Sequence, residues 1–208
     1  LWAVELGSPK TRSSRVSRSG ALRPGTAVAS TVNGVGVTGF TDHNDGTYSY
    51  TYTVSEGDAD RAADALPVSM TVKDPAGNEV SAYTTSPAES AAVDANTPTI
   101  TGVTASPSTG LAKVGGTVKI TVTVDDGDTD TGMSSTTADF NGVAGTDFTD
   151  NGDGTYEWTY TVVEGHTDRA ADSLPVSVVL TDPSGNSNSA FTTSPSSASV
   201  DANTPIIT

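Results

Sequence analysis

The sequence predicts an all-β chain of two antiparallel β-sandwiches in tandem, and three observations carry that prediction. First, residues 40–54 recur 108 positions later as residues 148–162, and residues 46–75 agree with residues 154–183 at 20 of 30 positions. That level of agreement is duplication rather than shared composition. Second, Tyr156, Trp158, Tyr160 and Val162 alternate with Thr155, Glu157, Thr159 and Thr161, the period of a strand with one greasy and one polar face. Third, clusters of Asn, Asp, Gly and Pro punctuate the chain roughly every ten residues, and no long stretch carries a helical period. A unit of this length can bury its own core, whereas solenoid repeats of roughly 20 to 50 residues do so only by stacking. The units are therefore expected to be beads on a string.

In chain order, residues 1–30 stand outside the repeat. Residues 8–25 are basic and Ser-rich without a period, so they are expected to contribute no strand and to be cut by trypsin at Arg12, Arg15 or Arg18. They read as a spliced or misread end, or a flexible basic tail, rather than a functional basic patch. Only residues 1–6, Leu-Trp-Ala-Val-Glu-Leu, could pair as a strand and fill a vacancy in the first sheet. The first unit, residues 31–95, is on this reading incomplete at its start.

From Thr31 the repeat is clear. Asn33-Gly34 and Asn141-Gly142 predict tight turns, because Asn and Gly tolerate positive φ. After the turn at Asp42, Tyr48, Tyr50, Tyr52 and Val54 share one face, which makes them core rather than a sugar-stacking platform. Residues 56–65 have mild helical character, enough for at most a turn or two between the sheets. Val68, Met70 and Val72, with Val176, Val178 and Leu180, are the inward set of the next strand. Asp-Pro-x-Gly-Asn at residues 74–78 and 182–186 then makes a hairpin, with returning edge strands at 80–85 and 188–193. The Val-Asp-Ala-Asn-Thr-Pro stretches at 93–98 and 200–205 are read as linkers. The second unit, residues 96–203, has the cleanest strand, with Val118, Ile120, Val122 and Val124 alternating with Thr117, Lys119, Thr121 and Thr123. Residues 204–208 restart the pattern, so a further repeat is expected to follow.

The repeat resembles the bacterial immunoglobulin-like (Big-type) domains strung in tandem through large surface proteins and adhesins. The likeness is carried by Asp150-Asn151-Gly152-Asp153-Gly154-Thr155-Tyr156, Val162-Val163-Glu164-Gly165, Thr181-Asp182-Pro183-Ser184-Gly185-Asn186 and the Asp-Ala-Asn-Thr-Pro stretch. It covers residues 31–208. The Asp-Asn-Gly-Asp-Gly-Thr-Tyr turn is also similar to one in filamin repeats. The resemblance implies tandem immunoglobulin-like sandwiches acting as a spacer or adhesive stalk, often stiffened by calcium and not catalytic.

Composition narrows the function classes. There is no cysteine, so neither disulfides, thiolate metal sites nor a Cys nucleophile exist. No run approaches the roughly 20 apolar residues that span a bilayer, and the chain opens without a Met or a secretory h-region, so it reads as an excerpt from a longer protein. The net charge is −15. Five cations against Glu5 give residues 1–30 a charge of +4, leaving −19 for the rest. A phosphate backbone would be repelled by such units, which argues against nucleic acid.

The candidate cation site is the acidic loop that follows the cleanest strand. Asp126, Asp128 and Asp130 alternate beside Asp125, and oxygen-rich sites of this kind suit Ca²⁺. Asp94 is the further acid proposed to join it. The spacing is not that of an EF-hand, and a hydrated acidic turn is the alternative reading. The turns at Asp42 and Asp150 are better explained as turns. At the positions equivalent to His43 and His166 the other copy carries Asn151 and Asp58, so no histidine chemistry is common to both units.

The expected function is a non-enzymatic extracellular segment of a bacterial surface protein, serving as stalk, adhesin or filament building block. Its expected partners are neighbouring repeats, a surface receptor or glycan, or like chains in a filament. The alternative is a carbohydrate- or ligand-binding accessory module of a secreted enzyme, with an enzyme proper third.

Overall fold

The computed structural model describes residues 12–17, 26–27, 29–45, 47–74, 76–125 and 132–207. The chain divides into two compact units, residues 1–95 and 96–208. It is all-β and has no helix among the described residues.

The second unit holds β9 to β17. In order these are β9 (Thr99–Ser106), β10 (Leu111–Lys113), β11 (Thr117–Asp125), β12 (Ser134–Phe140), β13 (Val143–Ala144), β14 (Thr146–Asp150), β15 (Thr155–Thr161), β16 (Val176–Thr181) and β17 (Ser199–Asp201). They follow β1 (Arg12–Ser17), β2 (Thr26–Ala27), β3 (Thr31–Val32), β4 (Val35–Gly36), β5 (Thr38–Asp42), β6 (Thr47–Tyr52), β7 (Val68–Ser69) and β8 (Val72–Lys73) of the first unit.

One sheet of the second unit runs β14-β15-β11-β9, another β13-β12-β16, and β10 pairs in parallel with β17. Alternation sets the core, because successive side chains on a strand point to opposite faces. Val118, Ile120 and Val122 of β11 lie opposite Tyr160, Trp158 and Tyr156 of β15. All six are buried, together with Val176, Val178 and Leu180 of β16. Phe140 at the end of β12 completes the aromatic centre, meeting Trp158 edge-on with ring centroids 6.2 Å apart.

Gly145 belongs to this packing. A Cβ there would stand 2.9 Å from Phe140 Cδ2 and 3.1 Å from Trp158 Cδ1. The first unit solves the same place differently, with Val32, Val37 and Tyr50 at the corresponding positions. Smaller residues across the core there make room for a valine where the second unit has no side chain at all.

The first unit has the sheets β1-β6-β5, β4-β3-β7 and β2-β8. Tyr48, Tyr50 and Tyr52 are buried among Val32, Leu66, Val68 and Met70, so the tyrosine stripe is core.

Three expectations are corrected. Residues 8–25 do contribute a strand: β1 runs antiparallel to β6, with Arg12 opposite Tyr52, Ser14 opposite Tyr50 and Val16 opposite Tyr48. Backbone ladders form without regard to side-chain period, which is why the missing alternation misled. Residues 1–6, the stretch expected to pair, lie outside the described residues. Residues 56–65, expected to give at most a turn or two, agree with that expectation: they form turns around an isolated bridge from Arg61 to Val93 and contain no helix, since so short a run is marginal without packing. The stretches read as linkers are not linkers at their start: Val93, Ala95, Val200 and Ala202 are buried in the cores. Their Val-x-Ala spacing is itself the strand period. The returning segments at 80–85 and 188–193, expected as edge strands, form no ladder: each is tied by one bridge, Met70 to Tyr83 and Val178 to Phe191, and by one further backbone bond, Val80 N–H to the Val72 carbonyl and Asn188 N–H to the Leu180 carbonyl.

Candidate functional site

Of the residues expected to hold a cation, Asp125 closes β11 and is exposed. Asp126, Asp128 and Asp130 lie outside the described residues. Asp94 lies in the first unit between buried Val93 and Ala95. Among the described residues no group of three or more His, Asp or Glu side chains is placed to hold a metal.

What the structure does assemble is a polar clasp, built twice, around the turn that opens each β-hairpin. Asn141 and Gly142 follow β12 with φ of 57° and 78°, the conformation a two-residue hairpin turn requires. Asn33 and Gly34 repeat it at 54° and 78°. Both asparagines are buried. Asn141 Nδ2 donates to Tyr160 Oη at 3.0 Å and to the Thr167 carbonyl at 2.7 Å, while Arg169 Nε donates to Asn141 Oδ1 at 2.6 Å. In the first unit Asn33 Nδ2 reaches Tyr52 Oη at 3.1 Å and the Ala59 carbonyl at 2.6 Å, and Arg61 Nε reaches Asn33 Oδ1 at 2.7 Å.

The tyrosine hydroxyl passes its own proton onward, and here the copies differ. Tyr52 donates to Asp58 Oδ2 at 2.8 Å, which also accepts the Ser55 N–H at 3.0 Å. Tyr160 lies 3.1 Å from His166 Nδ1, which accepts the Val163 N–H at 3.2 Å. The imidazole therefore takes the place of a carboxylate as the acceptor and stacks on the ring of Tyr160, centroids 5.7 Å apart.

The arginine loop also holds the last segment of its unit. The backbones of Arg61 and Val93 exchange two bonds of 2.8 Å, and those of Arg169 and Val200 two of 2.9 and 2.8 Å. Gly57 and Gly165 then donate to the carbonyls of Ala95 and Ala202, each at 2.9 Å. Asp60 accepts the Ala95 N–H at 2.7 Å, and Asp168 accepts the Ala202 N–H at 2.8 Å and Asn203 Nδ2 at 2.9 Å. Glu164 takes the Thr204 N–H on both oxygens at 3.1 Å. One clasp thus joins a hairpin turn, a core strand, a loop and the closing segment. Asn141 donates both amide protons and accepts on its oxygen, so the group is satisfied internally. Such an arrangement fixes shape rather than poising a reactive atom.

Sequence reasoning missed the clasp as a unit, although Asn, Tyr, Arg and Asp at 33, 52, 61 and 60 recur unchanged at 141, 160, 169 and 168. That identity was the available signal.

The remaining perturbed acids belong to turns and to an ion pair. Asp153 is held below its ordinary range by the Thr155 hydroxyl and N–H, and Asp74 by the Asn78 side chain and N–H. Glu157 is lowered mainly by Lys119, whose Nζ lies 2.9 Å away across the sheet. Burial raises the Tyr50 hydroxyl.

No protein-family model matches the chain, and no curated protein matches it. Solved structures that resemble it include the fibronectin(III)-like modules of Clostridium thermocellum CbhA, 16% identical with a TM-score of 0.35, covering 98% of this chain and 90% of that one. Another is the Yersinia pseudotuberculosis adhesin InvE, 13% identical with a TM-score of 0.29; it covers 93% of this chain, which spans 56% of the adhesin. The chain's own sheets carry the conclusion that it is an all-β pair of antiparallel sandwich units.

Proposed function

We propose that the chain is a non-enzymatic, immunoglobulin-like segment of an extracellular bacterial surface protein, working as stalk, adhesin or filament building block. The observation that supports this most directly is the clasp on the closing segment of each unit. In a string of modules the pull arrives through the chain ends, and peeling the closing segment from Arg61 or Arg169 requires breaking several hydrogen bonds together. The acidic, cation-seeking surface fits the same setting. In this reading the acidic loop with Asp125, Asp126, Asp128 and Asp130 takes Ca²⁺ at the millimolar levels found outside cells. The partners are neighbouring modules and a surface receptor, glycan or like chain.

Force spectroscopy on the whole chain tests the stalk role. Asp168→Ala is expected to lower the unfolding force of one of the two unfolding events while leaving the other unchanged. Equal forces for parent and variant would remove the mechanical reading. Saturable binding on a glycan array would instead favour an accessory module of a secreted enzyme. Thermal unfolding in calcium against chelator tests the cation arm. At 100 times its dissociation constant, calcium adds about 2.7 kcal/mol to a state that alone binds it, and superimposed curves would leave a hydrated acidic turn.

A further inference from the structure

The two units differ most in the lane beside their central aromatic strand. In the second unit that lane is filled by β11, which places Val118, Ile120 and Val122 opposite Tyr160, Trp158 and Tyr156. All three aliphatic side chains are fully buried, and β9 covers the far edge of β11. In the first unit the same lane is taken by β1 in the same register, which puts Arg12, Ser14 and Val16 opposite Tyr52, Tyr50 and Tyr48. Among the described residues β1 is the edge of its sheet, because the order is β1-β6-β5. Beside that lane the first unit keeps the asparagine, tyrosine and arginine of the clasp and the buried aromatic stripe. The lane is thus built for alternate apolar residues, and the strand in it supplies Arg and Ser at two of three register positions.

We propose that the first unit is a strand acceptor. The lane along β6 takes an extended polypeptide segment with apolar residues at three alternating positions, antiparallel to β6, in place of Arg12–Ser17. The ladder hydrogen bonds are equivalent for either occupant, so the choice is made by the cross-strand pairs and the apolar area they remove from water. Among the described residues β1 is held by one neighbour, and an edge strand is the one that exchanges most readily. The natural donor has the chemistry of β11, a Thr-rich segment with Val or Ile at every second place. This goes beyond the stalk reading and does not depend on it, since a unit that accepts a strand joins chains whatever load they carry.

The test uses the whole chain and a labelled peptide with the sequence of residues 117–124, followed by fluorescence anisotropy and amide hydrogen exchange. The expected result is saturable binding, with slower exchange gained at residues 47–52 and not at residues 155–161. A control peptide carrying Val118→Arg and Ile120→Ser is expected to bind at least ten-fold more weakly. The chain variant Arg12→Val with Ser14→Ile fills the lane from within and is expected to lower affinity for the parent peptide at least ten-fold. Equal binding of the two peptides, protection at residues 155–161, or unchanged affinity in the chain variant would each overturn the proposal.

Discussion

Gly145→Ala offers the sharpest test of the packing. The substitution adds one methyl group at a backbone position without positive φ, so any cost comes from contact alone. That methyl would lie 2.9 Å from Phe140 Cδ2 and 3.1 Å from Trp158 Cδ1, well inside ordinary carbon separations of about 3.5–4.0 Å. Phe140 and Trp158 are both buried in a close-packed core, so neither can move without displacing its neighbours. Overpacking of this kind costs about 1–3 kcal/mol. For a unit near a hundred residues each kcal/mol corresponds to roughly 4 °C or more in Tm. The chain has two tryptophans, so Trp2→Phe leaves Trp158 as the fluorescent reporter of the second unit in urea unfolding. The first unit supplies the compensating change, because Val32 and Val37 stand where the second has Phe140 and Gly145. Gly145→Val with Phe140→Val is therefore expected to be more stable than the two single effects sum to, by at least about 1 kcal/mol, within the range of coupling between touching residues. A Gly145→Ala variant as stable as the parent, or a strictly additive double variant, would refute the reasoning.

Three further outcomes are expected. Trp158→Ala removes the largest buried side chain of the second unit and is expected to cost about 3–5 kcal/mol in urea unfolding; a loss below 1 kcal/mol would mean the ring is not core. Asn141→Gly keeps the positive-φ turn but strips the partners from Tyr160, Thr167 and Arg169, and is expected to cost about 1–3 kcal/mol. Asn141→Ala should cost more, since it adds backbone strain, and a neutral Asn141→Gly would show that the clasp does not contribute. Glu157 titrates below its ordinary range because of Lys119, so its contribution is present above the unfolded carboxyl pKa and disappears as pH falls through the lower folded value. Glu157→Gln is expected to lower Tm at pH 7, with the gap to the parent closing in acid and shrinking in high salt; a gap that widens on acidification would contradict that sign.

Much of the fold is legible in single residues and their spacing. Val118, Ile120 and Val122, Tyr156, Trp158 and Tyr160, and Val176, Val178 and Leu180 declare their buried face by period two, because a strand's side chains alternate whatever it pairs with. Asn33-Gly34 and Asn141-Gly142 declare their turns, because few residues accept positive φ. The acidic loop around Asp126, Asp128 and Asp130 was legible only as a charge pattern. What tertiary structure decided is everything that depends on partners far apart in the chain. Asn141 could be read as a turn residue, but not as the acceptor for Arg169, 28 positions away. Asp168 could be read as a loop acid, but not as the anchor of Ala202, 34 positions on. Val93 and Val200 alternate like strand residues, yet only the bridges to Arg61 and Arg169 show that these linker-like stretches close their units. Arg12–Ser17 is the plainest case: nothing in its side chains asks for a strand, and the open lane beside β6 supplies one. Periodicity is a property of one segment and survives in the sequence, whereas hydrogen-bond partners and packing volumes are properties of pairs, which exist only once the chain has folded.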